Sequence, residues 1–233
     1  MIVATSLADN LHKVNETIAE HAGRVGRDPT GVTIVAVTKT FPVSVIREAM
    51  ALGLRIFGEN RIQEAVPKID EIGTTGVSWH LIGHLQSNKV KFIEGRFAMV
   101  ESIDSSGIVQ GLGRRLHQPL DVLIEVNVGE EPQKTGAVPA DVPAIAASLQ
   151  EFPQLRLRGL MTIAPMVPDP EQARPVFRRL RALRDETGDR LGVQLPVLSM
   201  GMTEDYPVAV QEGATMLRLG RALFGPRPPL KAR

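Results

Sequence analysis

The spacing of apolar residues along the chain switches between two patterns, one typical of helices and one typical of strands. Over residues 7–25, apolar residues recur at three- and four-residue steps, which is typical of an amphipathic helix, and Gly26 and Pro29 end it. Residues 32–37 then form a short, almost wholly apolar and β-branched run. Such runs are typical of strands in a parallel sheet that is covered on both faces. The pattern therefore predicts strands joined by helices.

The same alternation continues to the end of the last apolar run. The predicted strands span residues 32–37, 54–57, 78–82, 97–101, 120–127, 155–161, 197–200 and 214–219. The predicted helices span residues 7–25, 43–52, 61–72, 87–94, 105–116, 139–150, 170–188 and 206–212. Eight strands in strict alternation with helices favour a closed (β/α)8 barrel of the TIM type, with an extra N-terminal helix, over an open doubly wound sheet. No Pro-, Gly- or Ser-rich linker divides the chain, so we predict one domain over residues 1–233.

Composition narrows the classes of function. The 27 basic and 26 acidic residues give a net charge of +1, which provides no global reason to expect nucleic acid or an anionic membrane as partner. The absence of cysteine excludes disulfides, thiolate nucleophiles and cysteine metal sites. No apolar run approaches the roughly 20 residues of a membrane span, and the first residues make a poor signal peptide. We therefore expect a cytoplasmic protein.

Polar residues concentrate at the predicted carboxyl ends of the strands, where a barrel carries its active site. In chain order they are Lys39, Glu59, Asn60, His80, His84, Gln86, Asn127, Thr162, Ser199, Thr203, Arg218 and Gly220. A stable barrel does not require so many polar groups on one rim. We therefore expect a ligand site there.

Lys39 is the central candidate. It closely follows an apolar strand, so its stem is expected to start inside the rim. Burial disfavours the charged ammonium form, and a neutral amine can attack an aldehyde to form an imine. Most lysines just past a strand are surface residues, so position alone leaves a functional and a surface role open.

Two glycine-containing loops follow the last two predicted strands. They span residues 199–203, Ser-Met-Gly-Met-Thr, and residues 217–225, Leu-Arg-Leu-Gly-Arg-Ala-Leu-Phe-Gly. Backbone N–H groups at glycine-rich turns and helix starts bind phosphate, and barrels often place a phosphate site after these two strands. Each loop alone is also compatible with a simple tight turn. Together, opposite a rim lysine, they indicate a phosphorylated ligand.

Three further side chains allow more than one interpretation. Arg218 ends the last strand and can only donate hydrogen bonds, although the chain has many surface arginines. His80 and His84 suggest a metal site, but no further histidine or carboxylate completes a ligand set at a usual spacing. A structural or ligand-contacting role is expected for both histidines.

A series of motifs in order from about residue 5 to residue 227 resembles the YggS/PROSC family of pyridoxal phosphate homeostasis proteins. The motifs are Val35-Ala-Val-Thr-Lys-Thr40, Phe57-Gly-Glu-Asn60 with Gln63-Glu64, Trp79-His-Leu-Ile-Gly-His-Leu-Gln-Ser-Asn-Lys89, Val126-Asn-Val-Gly-Glu130, Lys134-Thr-Gly136, Gly159-Leu-Met-Thr162, Leu198-Ser-Met-Gly-Met-Thr203, Arg218-Leu-Gly220 and Leu223-Phe-Gly225. The His-Leu-Ile-Gly-His-Leu-Gln and Ser-Met-Gly-Met blocks are highly specific. The resemblance implies a barrel like the N-terminal domain of alanine racemase, without the β domain that follows it in that enzyme.

The resemblance also implies that the cofactor is pyridoxal 5'-phosphate (PLP). By position, Lys39 is the Schiff-base lysine, Asn60 flanks the ring, and Arg218 faces the pyridine nitrogen. An arginine there would keep that nitrogen unprotonated and make the cofactor a weaker electron sink than one paired with a carboxylate.

The resemblance assigns the phosphate group to Ser199, Thr203 and the backbone of Gly220 and Arg221. Two of these positions depart from the family pattern. Arg221 stands where a hydroxyl residue is frequent, so a charged contact replaces a hydroxyl contact. Thr203 stands where serine is usual, and it keeps the hydroxyl.

The implied role is intracellular PLP homeostasis, with no catalytic turnover and PLP-dependent apoenzymes as transient recipients, by a monomer. Lys134 is a candidate for a second PLP contact, although a solvated loop lysine is the common case. The alternative is a PLP-dependent amino-acid racemase. Its second base would have to be Tyr206, the one tyrosine of the chain, which the sequence places on the same rim as the phosphate loop. Formation of D-alanine from L-alanine would identify the enzyme.

Overall fold

The structure, a computed structural model, describes residues 6–226 and contains the predicted barrel. Within these residues, eight parallel strands pair in chain order, and the eighth pairs with the first to close the sheet. The strands are β1 (Thr33–Val37), β2 (Ile56–Glu59), β3 (Ser78–Leu81), β4 (Met99–Ile103), β5 (Leu120–Glu125), β6 (Leu155–Met161), β7 (Val197–Ser199) and β8 (Met216–Leu219). The (β/α)8 prediction is confirmed.

The α-helices surround the sheet, and short 3-10 helices occur in several connections. The α-helices are α1 (Leu7–Gly23), α2 (Val43–Ala51), α3 (Ile62–Ile72), α4 (Ser106–Gly113), α5 (Val142–Leu149), α6 (Arg174–Leu191), α7 (Tyr206–Gln211) and α8 (Arg221–Phe224). The 3-10 helices are Pro29–Gly31, Ser87–Phe92, Pro139–Asp141 and Pro170–Ala173. None of the helices in residues 6–226 is both long and apolar enough to cross a lipid bilayer.

The buried apolar side chains form two separate groups. The larger lies between the sheet and the helices and includes Phe57, Trp79 and Phe177. The smaller fills the inside of the barrel with Val35, Met99, Leu123, Met161 and Met216. Because alternate residues of a strand point to opposite faces, this division fixes which residues at each strand end point into the mouth of the barrel.

The extra N-terminal helix is present. A capping box begins α1: the hydroxyl of Ser6 accepts from the backbone N–H of Asp9, and the Asp9 side chain accepts from Ser6 N–H. Its buried face packs on α7 and α8, and Asn10 Nδ2 donates to Leu223 O at 2.9 Å. This contact fixes α1 beside the short helix that follows the last strand. The first five and last seven residues of the predicted domain lie outside the described residues.

Three strands begin two residues later than the sequence predicts, at Ile56, Met99 and Met216. The residues before them belong to turns, because Leu54 N–H donates to Ala49 O, Phe97 N–H donates to Ile93 O and Ala214 N–H donates to Ala209 O. These hydrogen bonds close the preceding helical segments. Glu59 is the last residue of β2 and Glu101 is the middle residue of β4, and both are fully buried.

The segment after β3 also differs from the prediction. Residues 87–94 were expected to be an α-helix, and residues 87–92 form a 3-10 helix. Its backbone N–H groups donate to the third residue back, as in Lys89 to Gln86 and Ile93 to Val90. The apolar periodicity of so short a segment does not distinguish the two helix types.

Candidate functional site

A cavity of about 260 Å³ opens at the carboxyl ends of the strands. Six of the seven residues predicted to bind the cofactor line it: Lys39, Asn60, Thr203, Arg218, Gly220 and Arg221. Apolar residues of the loop after β6, from Ile163 to Val167, form much of the remaining wall. Polar groups from distant parts of the chain thus converge on one small, partly apolar space, as in many ligand sites.

A tightly braced turn carries Lys39 at the end of β1. Thr38 is buried, and its carbonyl accepts from Phe41 N–H at 3.0 Å and from Lys68 Nζ at 2.8 Å. Thr40, the residue after Lys39, has a φ of 70°, a left-handed conformation that is uncommon for a residue other than glycine. The half-buried Lys39 side chain therefore leaves a fixed backbone and reaches the cavity.

Glu59 supports this turn from outside the barrel. Its Oε1 accepts from Thr38 Oγ1 and from Lys68 Nζ, each at 2.7 Å. Burial raises the pKa of Glu59, and the charge and hydrogen bond of Lys68 only partly oppose this. Because Lys68 lies on α3, Glu59 faces the helix layer and not the cavity. The cluster Thr38–Glu59–Lys68 joins the ends of β1 and β2.

Asn60 is held by a close approach of the chain after β3. A Cβ placed on Gly83 would lie 2.2 Å from Asn60 O and 2.8 Å from Asn60 Cγ, far below any normal contact. Only glycine fits at this position. This geometry explains the glycine in the His-Leu-Ile-Gly-His motif and fixes Asn60 at the cavity wall.

Arg218 forms part of the cavity wall and is only 4% exposed. Its Nη1 donates to Ser199 Oγ and its Nη2 donates to Thr162 O, both at 2.7 Å. Burial lowers the pKa of Arg218, whereas the nearby carboxyl groups of Glu101, Glu125 and Asp205 oppose that shift. The guanidinium is thus oriented by two buried acceptors.

Ser199 is buried at the end of β7 and is not among the residues that line the cavity. Its hydroxyl donates to Glu101 Oε2 at 2.5 Å and accepts from Arg218. The phosphate contact predicted for Ser199 stays a prediction, and the contact found is with Arg218.

The two histidines each pair with one carboxylate. His80 Nδ1 lies 2.8 Å from Glu101 Oε1, and His84 Nδ1 lies 3.0 Å from Asp104 Oδ2. Within residues 6–226, no group of three or more His, Asp or Glu side chains could hold a metal ion. The pairings are those of hydrogen-bonded structural groups.

The two glycine-containing loops meet at the cavity. The hydroxyl of Thr203 accepts from Ala222 N–H, at 3.1 Å, in the first turn of α8. Gly201 has a φ of 96°, and a Cβ there would lie 2.6 Å from Ala209 Cβ, so the loop requires glycine. Arg221 is half-exposed and pairs with Glu204 at 2.9 Å. One hydroxyl thus ties the loop after β7 to the loop after β8.

Two other candidates lie elsewhere. Lys134 is in the loop after β5, with Nζ 2.5 Å from Glu131 Oε1. Tyr206 is buried at the start of α7. Neither is among the residues described as lining the cavity.

Glu101 and Lys68 are two residues of the site that the sequence pattern did not single out. Each forms a direct hydrogen bond with a residue that is far away in the chain. Lys68 Nζ donates to Thr38 O, and Glu101 Oε2 accepts from Ser199 Oγ. A charged residue that ends an apolar run, as Glu101 does, was the available signal. The partners themselves follow only from the closed sheet.

Comparison with known proteins identifies the family. The family model for the N-terminal domain of alanine racemase matches residues 8–228. A protein of Pseudomonas aeruginosa named pyridoxal phosphate homeostasis protein is 43% identical over 226 residues, which cover 96% of both chains. The chain belongs to the pyridoxal phosphate homeostasis protein family. The resemblance inferred from the sequence motifs is confirmed.

Two further relatives extend the comparison. The Aquifex aeolicus protein of the same name is 41% identical over 222 residues, covering 94% of this chain and 97% of that protein. The solved structure of PipY from Synechococcus elongatus, with PLP bound, is 38% identical and matches with a TM-score of 0.78 over 89% of this chain and all of that one. The barrel of this chain is therefore that of its family.

Proposed function

We propose that this chain binds PLP in the cavity at the carboxyl ends of the strands, with Lys39 as its covalent anchor, and serves intracellular PLP homeostasis. One observation carries the proposal: a braced lysine and a buried arginine line the same small cavity. The PLP-bound structure of PipY supports it, because that relative shares 38% of its sequence with this chain.

The chemistry of the lining residues fits each part of PLP. A deprotonated amine on Lys39 would add to the aldehyde carbon of PLP, and loss of the aldehyde oxygen as water would leave the C=N bond of the Schiff base. Arg218 presents donors to the pyridine nitrogen, which can then only accept. Asn60, fixed by the close approach of Gly83, flanks the ring.

We assign the phosphate group of PLP to the joined loops after β7 and β8. Thr203, the backbone of Gly220 and the cationic Arg221 border the same part of the cavity. Backbone amides and a guanidinium are common phosphate donors. We assign Ser199 an indirect role, because its hydroxyl already contacts Glu101 and Arg218.

The residues around the cavity favour a role in binding the cofactor rather than a role in catalytic turnover. A two-base racemase needs a second proton donor at the ring, and the chain's tyrosine, Tyr206, is buried at the start of α7. Arg218 lies where it would limit the electron-withdrawing power of the ring. We therefore propose a non-catalytic, cytoplasmic, monomeric carrier that gives PLP to apoenzymes without binding nucleic acid or membrane.

Titration with PLP tests the proposal. The parent chain should gain a Schiff-base absorbance band near the edge of the visible range, and Lys39→Ala should lack it because no other lysine lines the described cavity. Lys134→Ala is the matched control and should keep the band. A band that persists in Lys39→Ala would reject Lys39 as the anchor.

A further inference from the structure

A chain of buried hydrogen bonds runs from the cavity across the inside of the barrel. It connects Arg218 on β8 to Ser199 on β7, Ser199 to Glu101 on β4, and Glu101 to His80 on β3. The three donor–acceptor distances are 2.7, 2.5 and 2.8 Å. Each of the four residues is at most 4% exposed. We call these four residues the Arg218 chain.

The direction of each bond follows from the chemistry of its groups. Arginine only donates, so Ser199 Oγ must accept from Arg218 and use its single hydrogen to donate to Glu101. Although burial opposes ionisation, the hydrogen bond and charge of His80 and the charge of Arg218 hold the pKa of Glu101 below its ordinary value. An ionised Glu101 accepts from both sides, so His80 carries its proton on Nδ1.

We propose that Glu101 and His80 are positioning residues that orient Arg218 and balance its charge beside the bound cofactor. This inference rests on the proposed function. Two of the five N–H donors of Arg218 are used by Ser199 and Thr162, and both point the guanidinium plane in one direction. Glu101 supplies the opposite charge through Ser199 without occupying the cavity.

Other charged groups surround Arg218, and they allow a matched comparison. Lys39 lies on the same cavity wall, and the carboxyl groups of Glu101, Glu125 and Asp205 all act on Arg218. Glu125 is a buried glutamate on the neighbouring strand β5, but its Oε1 accepts from Thr135 at 2.6 Å and it is outside the Arg218 chain. Glu125→Gln therefore controls for the loss of a buried carboxyl group.

The test is the pH midpoint at which the Schiff base of the PLP-loaded protein loses its proton, followed by absorbance. Glu101→Gln preserves shape but removes a negative charge, so the cavity becomes more positive and a protonated Schiff base is less favourable. We expect the midpoint to fall by about one pH unit in Glu101→Gln. Glu101→Asp keeps the charge and should stay near the parent value, and Glu125→Gln should shift the midpoint much less.

Two further measurements separate positioning from simple support of the fold. Ser199→Ala cuts the link without changing charge, and it should weaken binding of pyridoxine 5'-phosphate, which has no aldehyde, by about tenfold. In the ligand-free parent, nitrogen NMR should find His80 Nδ1 protonated. Both readouts are independent of Schiff-base formation.

The outcomes are distinct. A parent chain that forms no Schiff base would reject the proposed function. If the parent forms it, but Glu101→Gln and Glu125→Gln shift the midpoint equally, or His80 Nδ1 is unprotonated, the positioning role is wrong. If Glu101→Gln does not fold, Ser199→Ala and the NMR measurement decide. Unchanged affinity in a folded Ser199→Ala would also reject the inference.

Discussion

The mouth of the barrel has two unlike halves. On the side of β1 and β8, Lys39 and Arg218 line a cavity of about 260 Å³, with Lys39 on a braced turn and the guanidinium of Arg218 held by two acceptors. On the side of β5, the loop of residues 128–137 folds onto its own strand. There Glu125 accepts from Thr135, and the Asn127 side chain both donates to and accepts from the backbone of Glu131.

The difference lies in where the polar groups find their partners. The loop after β5 satisfies its polar groups internally, and its Lys134 is already paired with Glu131. On the cavity side, Ser199 and Thr162 accept from the guanidinium of Arg218 and so orient it. The same guanidinium borders the cavity in which a ligand would bind. A lysine near the mouth of a barrel is therefore a better site candidate when its surroundings face a cavity.

Arg218→Ala should have the largest effect on this comparison. It removes two buried hydrogen bonds and leaves Glu101 as a buried charge without its cation, so we expect the free energy of unfolding to fall by about 3–5 kcal/mol. The PLP spectrum should change while some PLP stays bound. Denaturant unfolding and absorbance titration measure the two effects.

Arg221→Ala is the stability control for this prediction. Arg221 pairs with Glu204 at 2.9 Å, but both side chains are more than half exposed. Such a pair contributes about 0–1 kcal/mol. Equal destabilisation by Arg221→Ala and Arg218→Ala would contradict the account of Arg218 as a buried, oriented group.

Glu101 and Glu125 should make smaller contributions to the free energy of unfolding, and these contributions should depend on pH in opposite directions. The pKa of Glu101 is lowered, so its contribution to stability is present above its ordinary value near 4.5 and is lost as pH falls through the native pKa. Burial raises the pKa of Glu125, so its contribution is present below 4.5 and is lost as pH rises through the native pKa.

Unfolding free energies of Glu101→Gln and Glu125→Gln, measured from pH 4 to pH 8, test these signs. Relative to the parent, Glu101→Gln should lose its disadvantage as the solution is acidified. Glu125→Gln should gain stability over the parent as pH rises. Parallel pH profiles for the two variants would show that the two halves of the mouth do not differ electrostatically.

The sequence predicted the parts of the site that depend on local order. An apolar strand followed by Lys39, and glycine loops after the last two strands, place the lysine and the loops around Thr203 and Gly220 at one rim. Parallel strands bring their carboxyl ends together whatever their exact bounds.

The contacts across the inside of the barrel could not be predicted in the same way. Ser199 and Glu101 are 98 positions apart, and their contact depends on which face each residue presents. A register shift between β4 and β5 follows Val100, and β4 itself begins two residues later than the apolar run suggests. An error of one residue reverses the face, so the spacing of residues in the sequence could not pair these two side chains.

The central claim is that the cavity half holds PLP through Lys39. Borohydride reduction of the PLP-loaded protein, followed by proteolysis and mass spectrometry, locates the lysine that carries the cofactor. We predict a single reduced adduct on the peptide that contains Lys39 at stoichiometric PLP. An adduct on Lys134 in its place, or no adduct at all, would contradict the account.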